Sequence, residues 1–172
     1  MSDAGAAPAK APSPVIRFGI ALIALGVVGV IGLTVKQPWL FPSLGPTVML
    51  IVEAPQLPAS RLGNVVIGHA VGIAVGWVCL VSFRLSSLPP APVGGLTGRY
   101  VAAGALSVAV TTLVLGVLNR QHPPAGASTL IVSLGILTTA AQLATMLGAV
   151  IVVAVIAWEL NRLAGAKPDQ RW

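Results

Sequence analysis

Two histidines and two proline-bearing segments contain the residues of this chain best suited to binding chemistry. Residues 119–130, NRQHPPAGASTL, place His122, Pro123 and Pro124 before a run of small residues that can begin a helix. Proline fits the first helical turn because the amide hydrogen it lacks would be unpaired there. The prolines therefore predict a fixed helix start whose free backbone amides face a cavity, at Gly126, Ala127 and Ser128.

A second segment, residues 41–49, has the sequence FPSLGPTVM and predicts a similar helix start. Ser43 is suited to cap this helix, and Gly45 and Thr47 lie in its first turn. A helix N-terminus carries partial positive charge. A helix broken at membrane depth is tolerated only where its end is buried in protein or lines an aqueous cavity. Together the two helix starts indicate a site for an anion or a strongly polar solute, the alternative being two ordinary interfacial turns.

His69 lies beside a stripe of glycines spaced four residues apart, at Gly68, Gly72 and Gly76. This spacing lets membrane helices approach each other closely. A histidine that faced lipid would lack hydrogen-bond partners, so His69 is predicted to face protein or a cavity. Two roles are open for it: binding a solute, or joining two helices by a hydrogen bond.

The other candidate site residues are Asn64, Glu53 and Arg61. Asn64 is predicted to line a polar path. Glu53 is the only acidic residue far from both chain ends, and it suits either a proton relay or an ion pair with Arg61. Since Cys79 is the single cysteine and no histidine spacing supports a metal site, we predict no disulfide, metal or cofactor. No grouping of serine, histidine and acid indicates an enzyme.

The composition is that of a membrane protein. Charged residues make up 8% of the 172 residues and hydrophobic residues 56%, whereas about a quarter of a soluble domain is charged. Too few polar groups remain to cover a water-facing surface, so most of the exterior must contact lipid. The formal net charge is +6, but the basic residues are scattered singly, which argues against nucleic-acid binding.

Four apolar stretches are long enough for transmembrane helices, which need about 20 residues. They are residues 15–35, 62–82, 100–118 and 142–160. Two shorter apolar pieces lie between them, at residues 43–54 and 125–140. A helix of about twelve residues covers about 18 Å, against a hydrocarbon core of about 30 Å. We therefore predict an all-α membrane protein with four transmembrane helices and two re-entrant half-helices.

The transmembrane domain, residues 15–160, is predicted to contain two repeated halves, 15–83 and 99–160, joined by a proline-rich linker, 84–98. A disordered tail, residues 1–14, precedes it, and a short tail, residues 161–172, follows it. A shift of 81 positions aligns pairs of uncommon residues without a gap: Pro42 with Pro123, Gly45 with Gly126, Leu62 with Leu143 and Trp77 with Trp158. Such matches indicate an internal duplication.

The basic residues predict that both termini are cytoplasmic. With re-entrant half-helices, seven basic residues lie on the side of the termini and three on the other, which satisfies the positive-inside rule. Six full spans give the same count, because Arg61 and Arg120 exchange sides with Arg84 and Arg99. The shortness of the two apolar pieces favours the model with half-helices. In that model the two halves of the chain would be related by an axis along the membrane normal. We expect a protein of the bacterial inner membrane. We also expect a homo-oligomer, because so short a chain encloses little space for a polar path.

The same residues resemble the HPP family of integral membrane proteins. The likeness covers His122-Pro123-Pro124 with the following AGA, residues 42–47 (PSLGPT) and residues 64–72 (NVVIGHAVG). Members are generally described as four-span transporters, and some plant plastid and cyanobacterial members are associated with nitrite transport. The resemblance implies a role for the HPP motif, Gly126 and His69.

These observations favour a transporter or channel for a small inorganic anion such as nitrite, with a path lined by two helix N-termini. The competing hypothesis is a non-transporting membrane scaffold or assembly partner, in which the same motifs serve only folding and packing. A membrane enzyme ranks third.

Overall fold

The computed structural model describes residues 11–166 and residue 168. In this part of the chain the regular structure is seven α-helices and one 3₁₀ turn, Pro58–Ser60, without strands. The helices are α1 (Pro14–Val35), α2 (Leu44–Glu53), α3 (Leu62–Ser82), α4 (Ala91–Gly94), α5 (Gly98–Val117), α6 (Ala125–Ser133) and α7 (Ala140–Leu163). The predicted all-α membrane fold is confirmed.

The predicted tails fall largely outside this description. Residues 1–10 of the N-terminal tail, and residues 167 and 169–172 of the C-terminal tail, lie outside the described residues. Helix α1 already begins at Pro14, where the Ser13 hydroxyl accepts a hydrogen bond from the amide of Ile16 (3.4 Å). Helix α7 continues to Leu163.

Four helices are long and apolar enough to cross a bilayer: α1, α3, α5 and α7, with 22, 21, 20 and 24 residues. Their ends agree with the predicted stretches to within three residues. The outer face of α1 exposes large apolar side chains, such as Phe18, Leu22 and Leu33, as expected for a surface in contact with lipid.

Helices α2 and α6 are the two short helices that the sequence predicts. They have 10 and 9 residues, so each covers about 15 Å, half of a hydrocarbon core. Helix α6 is shorter than the predicted piece, residues 125–140, because Gly135 adopts a φ of +78°. The amide of Gly135 then bonds to Val132 O, and that of Ile136 to Ile131 O, both at 3.0 Å. This is the pattern that ends a helix at a left-handed glycine.

Helix α3 packs closely and in parallel against α6 through its glycine stripe. A Cβ atom built at Gly68 would lie 2.8 Å from His122 Cβ, at Gly72 2.8 Å from Ala125 O, and at Gly76 2.7 Å from Thr129 O. The spacing of glycines therefore serves packing within one protomer. Helix α3 also packs against α5 and α7.

The course of the α6 segment corrects the predicted re-entrant path. At its start, Arg120 Nη1 donates to Asn64 Oδ1 near the beginning of α3 (3.3 Å). At its end, Leu134 O accepts from the amide of Ala91, in the linker that follows α3 (3.0 Å). Residues 118–134 thus lead from one end of α3 to the other, because the extended residues before α6 supply the rest of the crossing.

The α2 segment makes the equivalent passage along α7. Before α2, the ring of Trp39 lies 3.9 Å from a Cβ built at Gly148. At the end of α2, Ile51 O accepts from Asn161 Nδ2 (2.8 Å), and Gly148 and Asn161 are about 20 Å apart along the helix. Residues 36–53 therefore cross rather than return.

These passages give the two halves opposite directions. The Ser60 hydroxyl, just before α3, donates to Leu50 O (3.1 Å), so the end of α2 and the contacting end of α7 both lie at the beginning of α3. Helices α3 and α7 are consequently antiparallel. Shifted by 81 positions, α1 to α3 coincide with α5 to α7 to within three residues at every end. The halves are therefore arranged as inverted, not parallel, counterparts; the duplication itself stays a prediction.

Candidate functional site

The candidate site lies where α2 and α6 begin, on either side of His69. The Nε2 atom of His69 is 2.9 Å from the Thr47 hydroxyl, in the first turn of α2. Its Nδ1 atom is 2.6 Å from the Ser128 hydroxyl, in the first turn of α6. All three side chains are fully buried. The structure thus brings together three of the residues predicted from the sequence.

Thr47 and Ser128 occupy equivalent positions in the two halves. They are 81 residues apart, the same offset that aligns Pro42 with Pro123. Each follows its proline by five residues, so the proline-bearing turns place both hydroxyls at the start of a helix. Two helices of opposite direction therefore present matching groups to one imidazole.

His122 completes the site from the segment that precedes α6. Its Nε2 atom is 3.2 Å from Nε2 of His69, and the two rings meet edge to face with centroids 4.9 Å apart. Its Nδ1 atom is 2.8 Å from the carbonyl oxygen of Ala59, in the 3₁₀ turn. Gly68 makes room for it, since any Cβ there would clash with His122 Cβ.

The hydrogen-bond partners determine where the ring hydrogens lie. A carbonyl oxygen only accepts, so His122 carries its hydrogen on Nδ1 and its Nε2 accepts. Thr47 donates its hydroxyl hydrogen to Ser43 O (2.8 Å), so His69 must donate from Nε2, toward both Thr47 and His122. The Nδ1 atom of His69 then accepts from Ser128. In this arrangement both rings are neutral and every ring nitrogen has a partner.

Arg120 is a site residue that the sequence analysis treated only as a topology determinant. Its half-buried side chain donates to the buried amide oxygen of Asn64. Asn64 begins α3 and lies about one turn before Gly68, which contacts His122. A cation therefore lies about one turn of α3 from Gly68 and the histidine pair, on the side toward the beginning of α3. Asn64, which the sequence predicts to line a polar path, thus lies close to the histidine pair. Its hydrogen bond is to Arg120 rather than to a histidine.

A second layer of hydroxyls lies beside Ser128 on α6. Thr129 Oγ1 donates to Ala125 O (3.0 Å) and is 3.2 Å from Thr111 Oγ1 on α5. A Cβ at Gly72 would meet Thr129 Oγ1 at 2.6 Å. These contacts join α3, α5 and α6 next to the site.

The predicted helix cap and free amides differ from what the structure shows. Ser43 is buried, but its hydroxyl makes no capping bond, because its backbone is helical (φ −71°, ψ −18°) rather than extended as in a capping residue. The amides of Gly126 and Ala127 donate to Pro123 O and Pro124 O, both at 3.1 Å. These amides are therefore occupied by the tight turn that begins α6.

The remaining candidates lie at the edge of the site. Gly45 and Gly126 are half-buried, and a Cβ at either position would meet nothing within 4 Å. Glu53 is exposed at the end of α2, about 9 Å along the helix from Thr47. Arg61 directly precedes α3. The relay and ion-pair roles of Glu53 and Arg61 stay predictions.

The electrostatic character of the site is positive. It combines the N-termini of two helices with Arg120, and helix N-termini favour anions. Within residues 11–166 and 168, the acidic side chains are Glu53, at the far end of α2, and Glu159, which pairs with Arg162 at 2.8 Å. The histidine pair therefore has no carboxylate partner in the described chain.

Comparison with known proteins supports the predicted family. The family model described as HPP, transmembrane region, matches residues 8–170. A Dictyostelium discoideum protein described as a transmembrane protein is 26% identical over 97 residues, which are 56% of this chain and 30% of that protein. The chain thus matches less than a third of that relative's length. No solved structure matches the chain. Since the family match covers nearly the whole sequence, this protein belongs to the HPP family of integral membrane proteins.

Proposed function

We propose that this protein transports a small inorganic anion, with nitrite as the first candidate, along a path between the N-termini of α2 and α6. The observation that carries the proposal is the pair of equivalent hydroxyls, Thr47 and Ser128, that meet at His69. In a protein that needed only to pack its helices, apolar side chains would suffice. Burying polar side chains at membrane depth costs free energy, so such a network usually marks a functional site.

The charge of the site supports an anion as the solute. Two helix N-termini and the Arg120 guanidinium favour negative charge, and the hydroxyls of Thr47 and Ser128, which donate to Ser43 O and His69 in the occluded site, can turn their hydrogens toward an oxyanion. The four central side chains are also buried and hydrogen-bonded to one another, which leaves little room for a large solute. A small anion such as nitrite fits these properties better than an organic solute.

The inverted halves support a mechanism of alternating access. The four central side chains, Thr47, His69, His122 and Ser128, are at most 1% exposed, which is the condition of an occluded site. Because α2 leads from the site toward one end of α3 and α6 toward the other, tilting one half against the other would open the site to one side at a time.

An oligomer is part of the proposal. Pro42 and Pro123, which precede the half-helices, and Pro46, in the first turn of α2, are exposed. Irregular backbone at membrane depth requires cover by protein or water rather than lipid. A second copy of the chain would supply that cover, and native mass spectrometry of the purified protein would count the copies.

The test is nitrite uptake by the purified protein in sealed proteoliposomes, with protein-free vesicles correcting for permeation of nitrous acid. We expect uptake by the parent, and loss of about tenfold or more in His122→Ala, since a lost partner in a buried hydrogen bond costs about 1–3 kcal/mol. The control is Thr112→Val, on the exposed face of α5, which should transport like the parent.

Two outcomes would contradict the proposal. No uptake above protein-free vesicles by a folded parent would favour the scaffold hypothesis. Uptake by His122→Ala at the parental rate would show that the path does not pass the histidine pair.

A further inference from the structure

The histidine pair has a complete set of hydrogen bonds in its neutral form, and one of its atoms is suited to take up a proton. His69 Nδ1 uses its lone pair to accept from Ser128, at 2.6 Å. If a proton binds there, the Ser128 hydroxyl turns and accepts instead of donating. The bonds from His69 to Thr47 and His122, and from His122 to Ala59, keep their direction.

The bound proton can also pass between the rings. His69 Nε2 donates to His122 Nε2 over 3.2 Å. When this hydrogen moves across, His69 keeps only the hydrogen on Nδ1, becomes neutral and no longer donates to Thr47, while His122 becomes an imidazolium that donates to His69 and to Ala59 O. In both states the pair has gained one proton, at Nδ1 of His69, and carries one positive charge. The charge lies on His69 before the transfer and on His122 after it.

Among the residues that the structure describes, the surroundings of the pair supply no negative group for that charge. Helix α2 contributes Thr47, with Glu53 exposed at its other end, and α5 and α6 contribute hydroxyls. On α3 the next titratable group is Cys79, more than two turns away. The charged residues of α7 form their own exposed pair, Glu159 with Arg162. The other charged residues around the pair are cations: Arg120, held by Asn64, and Arg61, which follows the 3₁₀ turn.

We propose that the His69–His122 pair binds one proton together with each transported anion, so that the protein is a proton–anion symporter. The proposal rests on the proposed anion transport and adds its coupling ion. A positive pair that has no carboxylate partner in the described part of the chain is stabilised by an anion, and an anion beside the pair stabilises the proton in turn. This linkage is reciprocal, so the loss of the anion favours release of the proton, and the loss of the proton favours release of the anion.

The driving force of uptake distinguishes coupling from simple conduction. One proton moving with one monovalent anion carries no net charge. In proteoliposomes with the parent protein, we expect an acid-outside gradient of about one pH unit to raise the initial rate of nitrite uptake, by up to about tenfold. An inside-positive potential, set with K⁺ and valinomycin, should leave the rate unchanged. Protein-free vesicles are subtracted under each condition.

A response to the potential instead of the pH gradient would contradict proton coupling but would leave the proposed anion transport intact. If the inside-positive potential accelerates uptake and the pH gradient does not, the protein conducts the anion alone. If the parent takes up no nitrite under any condition, the proposed transport function fails instead.

Proton uptake on anion binding is a second measurement that needs no transport. Adding nitrite to the purified protein in weakly buffered detergent, with an indicator dye, should draw up to about one proton per bound anion from solution. Calorimetry in parallel measures how much nitrite binds. The variant with both His69→Gln and His122→Gln should take up none, and Thr112→Val should match the parent. Binding of nitrite by the parent without proton uptake would overturn the proposal.

Discussion

At the scale of single residues, the types of side chain in the site were predictable, but not all of its members were. His69 is predicted because an imidazole that faced lipid would lack hydrogen-bond partners, and His122, Thr47 and Ser128 because they belong to the two proline-bearing helix starts. Arg120 is not predicted, because a basic residue between two apolar stretches is ordinarily a topology determinant. The carbonyl of Ala59 has no signature in the sequence, since every residue carries one. Ser43 suited a cap by type, but its backbone angles exclude that role.

Arg120 is expected to attract the anion to the site. Its removal takes away a cation near the histidine pair and leaves Asn64 without its donor. Arg120→Gln should lower nitrite uptake at low substrate concentration by about tenfold, whereas Arg120→Lys should keep part of the rate because the charge remains. The matched control is Arg84→Gln, an exposed residue at the other end of α3. Equal loss in Arg84→Gln would show that general surface charge, and not Arg120, matters.

At the scale of elements, length and composition predicted which helices cross and which are short, while the direction of the short ones required the structure. The length of an apolar stretch predicts a helix, but it does not predict the path of the residues that precede that helix. Residues 36–43 and 118–124 are irregular, yet they carry part of each crossing, whereas the shortness of the two helices alone favours a return. The count of basic residues on each side does not distinguish the two paths, since four and six crossings both place seven basic residues on one side and three on the other.

The glycine stripe of α3 should tolerate no larger side chain. A Cβ at Gly72 would lie 2.6 Å from Thr129 Oγ1 and 2.8 Å from Ala125 O, and the latter is backbone that cannot turn aside. Overpacking of this kind costs about 1–3 kcal/mol or more. Gly72→Leu should therefore lower the melting temperature of the purified protein and disturb its folding. Gly26→Leu on the exposed face of α1, where a Cβ meets nothing, is the control. An unchanged melting temperature in Gly72→Leu would contradict the packing of α3 on α6.

At the scale of the whole molecule, the two halves run in opposite directions and meet at one site. The offset of 81 residues predicts which elements correspond, but it is the same for parallel and inverted halves. In the inverted arrangement the described basic residues Arg17, Arg61, Arg120 and Arg162 lie at one end, and Lys36, Arg84 and Arg99 at the other. The cytoplasmic side of the termini stays a prediction.

The inverted arrangement predicts opposite accessibility for the ends of the α2 segment. Single cysteines replacing Lys36 and Arg61, in a Cys79→Ala background, should react with an impermeant thiol reagent from opposite sides of sealed vesicles. A cysteine at Arg84 should react from the same side as the one at Lys36. Labelling of the Lys36 and Arg61 positions from one side would restore the re-entrant path.

The most direct test of the account asks whether the anion occupies the place where the two half-helices meet. A cysteine replacing Ser128, in the Cys79→Ala background, is exposed to a small thiol reagent in proteoliposomes while nitrite concentration is varied, with gluconate as the control anion. We expect labelling during turnover that nitrite slows and gluconate does not. Labelling that is indifferent to nitrite, or no labelling from either side, would contradict a transport path through Thr47, His69 and Ser128.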